Sequence, residues 1–246
     1  MELAPHLHTV GSDIVAFYLV EDETGVTMID AGLPGHWREL VDELTAMSRS
    51  LDDIRGVLLT HGDSDHLGVA ERLRSEHNVP IHIHEADAPL ARGEARKKNP
   101  PWGPLRIMAT LGFLWYAVRL GGVKAHPVRD VVELSGDRSL QLPGRPEIIH
   151  IPGHSPGSVA IHIPSVKALF VGDALTTRHV LTGVEGPQPA PFTLDSDKAL
   201  ESLSRLENLD VDWVLPGHGP PWNGGAGELV RLVREAARPR PGSVAG

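Results

Sequence analysis

The nine residues Thr60-His61-Gly62-Asp63-Ser64-Asp65-His66-Leu67-Gly68 constrain this chain more than any other stretch. They follow an apolar run, 54–59, that reads as a buried β-strand, and they precede 69–77, which reads as an amphipathic helix. Two imidazoles and two carboxylates therefore share one strand-to-helix loop. Imidazole nitrogens and carboxylate oxygens are ligands for divalent metals. Crowding four of them into six positions is unfavourable unless positive charge lies among them.

The rest of the chain reads as an alternation of strands and helices around that loop. Residues 13–20 and 25–29 read as strands joined by a turn at 21–24, followed by a glycine-rich loop at 30–35 and a helix over 36–47. A strand over 79–84 and a short helix over 85–91 come after the His/Asp loop. This β-β-α-β-α-β series belongs to the layered α/β class. The second half reads as strands over 128–134, 138–142, 147–151, 159–163, 167–171 and 211–215. Helices are expected over 195–206, with Asp195 as N-cap, and over 228–237. The expectation is two similar sheets packed face to face with helices outside, and a frayed Pro/Gly tail from about 238.

The segment 92–123 interrupts this pattern. It begins polar, breaks at Pro100-Pro101, and continues as an apolar stretch, 105–120, containing Phe113, Trp115 and Tyr116. That stretch is too short to span a bilayer. Its first reading is a core or dimer-interface helix. Its second is a wall or lid over a site, accepting an apolar substrate group.

Four strand ends carry ligand-type residues beside glycine: His61 to His66, then His154, Asp173 and His218. Loops at strand ends are where α/β proteins assemble their sites. One such pairing is weak evidence, and four in one chain are not coincidence. The formal net charge of −9 argues against a nucleic-acid surface. The absence of cysteine excludes thiolate ligands and disulfides. Residues 1–10 place Pro5, His6 and His8 where a signal peptide needs an apolar core, so the expected compartment is the cytoplasm.

With these residues in view, the chain resembles the metallo-β-lactamase-fold hydrolases, whose signature is H-x-H-x-D-H followed by separate His, Asp and His ligands. The matching residues are His61, Asp63, Asp65 and His66, then His154 in Pro-Gly-His-Ser-Pro-Gly-Ser, Asp173 in Val-Gly-Asp-Ala and His218 in Pro-Gly-His-Gly. The resemblance implies one domain over 1–246 with the four-layer αββα sandwich, carrying the helical insert at about 92–123. It implies two divalent ions, with Zn expected first and Mn or Fe as alternatives. His61, Asp63 and His154 would hold one ion and Asp65, His66 and His218 the other, with Asp173 bridging and Asp30 supporting the loop. The implied nucleophile is a hydroxide held by the ions, with Asp65 and Asp63 as the candidate catalytic carboxylates.

Asp63 departs from the signature, which has histidine there. It leaves three roles open: direct ligation, which is the expectation here, a carboxylate too short to reach the ion, or a proton acceptor. The expected reaction is hydrolysis of a carbonyl ester, lactone or thioester, with an acyl-bearing substrate suggested by the apolar insert. β-Lactam or phosphodiester hydrolysis and a non-catalytic metal-binding module are the alternatives, because one fold hosts many chemistries. Candidate substrate contacts are His179, Arg178, Trp115 and Tyr116. The expected partner is a small molecule, with no nucleic acid and no stable membrane insertion, and a homodimer is possible.

Overall fold

The computed structural model describes residues 1–98, 105–124 and 126–238. The first sheet lays seven strands side by side in chain order: β1 (Glu2–Ala4), β2 (Leu7–Gly11), β3 (Ala16–Asp22), β4 (Gly25–Ile29), β5 (Ile54–Leu58), β6 (Ile81–His84) and β7 (Val132–Leu134). Pairing is antiparallel through β4 and parallel from β4 to β7. The parallel crossovers carry helices α1 (Trp37–Ala46), α2 (Ala70–His77), α3 (Ala88–Ala91) and α4 (Ile107–Arg119).

The second sheet is built from β8 (Arg138–Ser139), β9 (Glu147–His150), β10 (Val159–Ile163) and β11 (Ala168–Gly172). A small ribbon follows, β12 (Thr176–Arg178) against β13 (Glu185–Gln188), then α5 (Ser196–Ser202), β14 (Trp213–Pro216), β15 (Trp222–Asn223) and α6 (Ala226–Ala237). The spatial order is β15-β14-β11-β10-β9-β8. Asp195 caps α5, its side chain accepting the Lys198 N–H at 3.0 Å.

Side-chain alternation along the strands creates the layers. On β3, Tyr18 and Val20 face one way and pack with Ile161, Ile163 and Phe170 of the second sheet. Phe17 and Leu19 face the other way and pack with Leu40 and Leu44 of α1 and Leu73 of α2. On the far side of the second sheet, Leu169, Val171 and Val214 pack with Leu229, Val230 and Val233 of α6. Three cores thus separate four layers, α/β/β/α, which is the sandwich that the resemblance implies.

Several elements differ from expectation. Residues 1–11 form the edge hairpin β1–β2, whose histidine-rich sequence hides the alternation that buries Leu7 and Val10. β3 continues to Asp22, shortening the expected turn. The ribbon β12–β13 and the short β15 have no apolar run to announce them. The largest correction concerns α4. The first reading of this stretch is a core or dimer-interface helix, and the core half of it fails because none of its residues is buried. Ala109, Phe113, Tyr116, Ala117 and Leu120 form a half-buried stripe at helical spacing, while Ile107 is 76% and Trp115 62% exposed. The helix is apolar on every face, so composition alone does not choose its contact side. The expected break at Pro100-Pro101 and the tail beyond 238 lie outside the described residues. No helix among the described residues is long and apolar enough to cross a membrane.

Candidate metal centre

The loops that follow β4, β5, β9, β11 and β14 meet at one edge of the sandwich and are cross-linked through backbone. Ala31 N–H donates to His66 O, Val159 N–H to Thr60 O, Gly217 N–H to Gly172 O and Ala16 N–H to Gly217 O. Two glycines permit this closeness. Gly172 has φ +49°, and a Cβ there would lie 2.2 Å from Thr60 Oγ1. A Cβ on Gly217 would lie 2.5 Å from His66 Cε1 and 2.8 Å from Asp173 Oδ1.

Each histidine in the cluster is fixed by its outer nitrogen. His66 Nδ1 donates to Asp30 Oδ2 at 2.8 Å. His218 Nδ1 donates to Ile14 O at 2.5 Å. Thr60 Oγ1 gives its proton to Asp30, so it accepts from His61 Nδ1 at 3.0 Å. Thr193 Oγ1 gives its proton to Ala190 O, so it accepts from His154 Nδ1 at 3.2 Å. All four rings therefore turn a lone pair on Nε2 inward, the tautomer a metal requires. Asp30 itself, at φ +60°, also accepts the Thr60 N–H at 2.7 Å.

The inward atoms converge. Donor atoms of His61, Asp63 and His154 lie within 4.8 Å of one another, and so do those of Asp65, His66 and His218, and those of His61, His66 and Asp173. His218 Nε2 is 3.2 Å from Asp173 Oδ2 and 3.4 Å from Asp65 Oδ2, and His66 Nε2 is 3.5 Å from Asp173 Oδ1. His61 Nε2, His66 Nε2 and Asp173 Oδ1 are buried polar atoms without hydrogen-bond partners. Such atoms are rare because burial without a partner is unfavourable. A divalent ion satisfies them together, so the donor set fits one.

The electrostatics agree. Burial disfavours a proton on His66, yet the carboxylates of Asp30 and Asp173 raise its pKa well above the ordinary value. Burial likewise opposes a proton on His218, and Asp173 and Asp65 override it, pushing its pKa up to about 9. Burial favours the neutral acid at Asp173, but His218 and His66 hold that carboxyl well below the usual range. The carboxylates draw positive charge onto these nitrogens, whether a proton or a divalent ion supplies it. His154 behaves differently, because burial lowers its pKa and keeps the ring neutral.

Two residues of the site were not anticipated. Lys97, from the polar start of the insert, reaches Asp63 Oδ2 at 2.5 Å and His154 Nε2 at 2.9 Å. Asp87 is buried at the start of α3 and joins two loops. It accepts the Gly62 N–H at 3.0 Å, the Ser155 hydroxyl at 2.6 Å and the Gly157 N–H at 2.7 Å. Neither carries a local signal: Lys97 stands in the polar start of the insert, and Asp87 in the short helix expected over 85–91. Tyr18 is buried, with its hydroxyl donating to Pro216 O at 2.7 Å beneath the site, and burial raises its pKa.

The four candidate substrate contacts lie elsewhere than the cavity wall. That cavity, about 710 Å³, is bounded by Asp63, Asp65, Lys97, Asp173 and His218 and, from α4, by Phe113, Leu114 and Ala117. Trp115 is exposed with Arg119 over its ring. Tyr116 shares its hydroxyl with His36 and Ser12, at 2.8 and 2.9 Å. Arg178 pairs with Asp13 at 3.6 Å. His179 is half-buried, and burial lowers its pKa.

Comparison with known proteins places this geometry. The sequence profile of the metallo-beta-lactamase superfamily matches residues 10–218. The probable metallo-hydrolase YflN of Bacillus subtilis is 28% identical over 238 residues, covering 91% of this chain and 87% of YflN. The acyl-coenzyme A thioesterase MBLAC2 of Homo sapiens is 30% identical over 179 residues, covering 71% of this chain and 58% of that protein. The solved structure of TTHA1623 in a di-iron-bound form is 28% identical, with a TM-score of 0.60 and coverage of 92% of this chain and 97% of that one.

Proposed function

The chain belongs to the metallo-beta-lactamase superfamily and is a metallo-hydrolase, and from that premise we propose that it cleaves a carbonyl ester, lactone or thioester carrying an apolar acyl group. The observation that carries this reading is the mixed lining of the cavity. It brings the carboxylates of Asp65 and Asp173 and the imidazole of His218 together with Leu33, Leu67, Leu90, Phe113 and Leu114. A carbonyl held at the polar groups leaves apolar surface for its acyl chain. The thioesterase activity in the name of MBLAC2 lends this substrate class support.

In this reading Asp65, His66, His218 and Asp173 would hold a divalent ion, and zinc suits their imidazole and carboxylate donors. Bound there, the ion supplies Lewis acidity and lowers the pKa of a water to about 7. The chain's own groups do the rest. Asp30 and Ile14 O fix the rings of His66 and His218 so that Nε2 faces the centre. Asp65 lines the cavity and would be the carboxylate placed to accept a proton from a water there. The wall from α4 excludes water from the acyl side.

The test is a panel of acyl thioesters, aryl esters, lactones, a chromogenic β-lactam and a phosphodiester, assayed with the zinc-loaded protein. Turnover of thioesters or esters is expected, with kcat/KM rising with acyl length and falling about tenfold in Phe113→Ala for the long chains only. Turnover confined to the β-lactam or the phosphodiester refutes the reading.

A further inference from the structure

The seven donors gathered at this edge do not all wait for metal, because two of them, Asp63 and His154, are already engaged by a cation of the chain. Lys97 Nζ lies 2.5 Å from Asp63 Oδ2 and 2.9 Å from His154 Nε2, with its side chain only 8% exposed. We propose that the Lys97 ammonium, held by Asp63 and His154, stands in place of an ion at the set His61, Asp63 and His154, so that the protein holds one divalent ion, at the second set, rather than two.

The argument is one of lone pairs and charge. His154 donates its Nδ1–H to Thr193, whose own proton goes to Ala190 O, so Nε2 has a single inward lone pair. A Lys97 N–H occupies it. An ion bound to that nitrogen at about 2.0–2.1 Å needs the same lone pair, and nitrogen has no second one to give. The 3.1 Å approach of His154 Nε2 to Asp63 Oδ2 is explained by the same ammonium, which donates to both atoms.

Asp63 makes this arrangement workable. A buried ammonium is stable only against an anion, and a histidine at position 63, as in the signature, offers none. The departure at Asp63 and the arrival of Lys97 thus explain each other. The formal charge also balances. One divalent ion and one ammonium give +3 against −3 from Asp63, Asp65 and Asp173, whereas two ions beside Lys97 leave the centre at +2. An ammonium has three N–H donors. Two are used here, and because Lys97 also lines the cavity, the third is left for a substrate carbonyl oxygen.

This inference rests on the proposed ion site at Asp65, His66 and His218, and its test separates the two. The full chain, Lys97→Ala, His218→Ala and the double variant are equilibrated with zinc, dialysed and counted by plasma mass spectrometry, with circular dichroism to confirm folding. One ion per chain is expected in the native protein, two in Lys97→Ala, none in His218→Ala and one in the double variant. Lys97→Met is a second substitution that removes the charge while keeping side-chain bulk, and it too is expected to bind more zinc than the native chain. Two ions in the native protein, or no gain in both folded Lys97 variants, overturns the lysine assignment. A native chain without zinc whose Lys97→Ala variant gains one ion supports the lysine assignment and overturns the reading of the second set instead.

Discussion

Asp30 takes a left-handed backbone at the end of β4 and commits both oxygens to the loop after β5, accepting from Thr60 N–H, Thr60 Oγ1 and His66 Nδ1. It sets the orientation of two rings of the candidate metal centre, His66 directly and His61 through Thr60. Asp30→Ala is therefore expected to weaken zinc binding by roughly 10- to 100-fold, measured by competition with a chromophoric chelator. His218 yields a pH prediction. Its pKa of about 9 means that, below that pH, an ion must displace a proton to bind. Zinc affinity should rise by about tenfold or more per pH unit toward pH 9, because His66, whose pKa is also raised, must give up a proton as well, with proton release detected by calorimetry in buffers of different ionisation enthalpy. An affinity that is flat between pH 6 and 8 counts against this assignment.

At the scale of elements, α4 is the unusual one. It has no buried residue, and Ile107, Met108, Leu111, Leu114, Trp115 and Val118 are exposed. Its fixed point is Tyr116, whose hydroxyl meets His36 Nε2 and Ser12 Oγ from the first sheet's loops. A backbone bond, Arg106 N–H to Leu181 O, ties its start to the second half of the chain. Tyr116→Phe removes the polar tether and leaves the ring. The expected result is an unchanged zinc content, a loss of about 1 kcal/mol in stability, and a KM for long acyl substrates raised more than kcat is lowered. Equal loss on short and long substrates shows that the helix does not act as an acyl wall.

For the molecule as a whole, acid stability follows from His36. It is fully buried, accepts the Leu33 N–H at Nδ1, and its pKa is lowered by burial from 6.5 to about 4. Between those values the unfolded chain binds the proton and the folded chain does not, so stability falls as pH drops from about 6.5 towards 4 and is recovered on raising the pH. At pH 5 the loss from this residue is on the order of 2 kcal/mol relative to pH 7. Urea unfolding at the two pH values should show it, and His36→Gln should flatten the difference by a similar amount. An identical acid slope in the variant assigns the acid sensitivity to other groups.

By itself, the sequence determined whatever depends on near neighbours. The loop of His61, Asp63, Asp65 and His66 declares itself because its ligands are adjacent. The strands at 25–29 and 159–163 and the capped helix after Asp195 follow from short apolar runs bounded by turn residues and from local hydrogen bonding. Tertiary structure alone decided what faces what. Lys97 meets Asp63 from 34 positions away and His154 from 57, and Asp87 reaches Ser155 across 68. The contact face of α4 and the partner of Asp63 are likewise settled by how two sheets bring their loops to one edge. A single residue's chemistry limits which partners it accepts, but the choice among them is made by distances that exist only once both cores have packed.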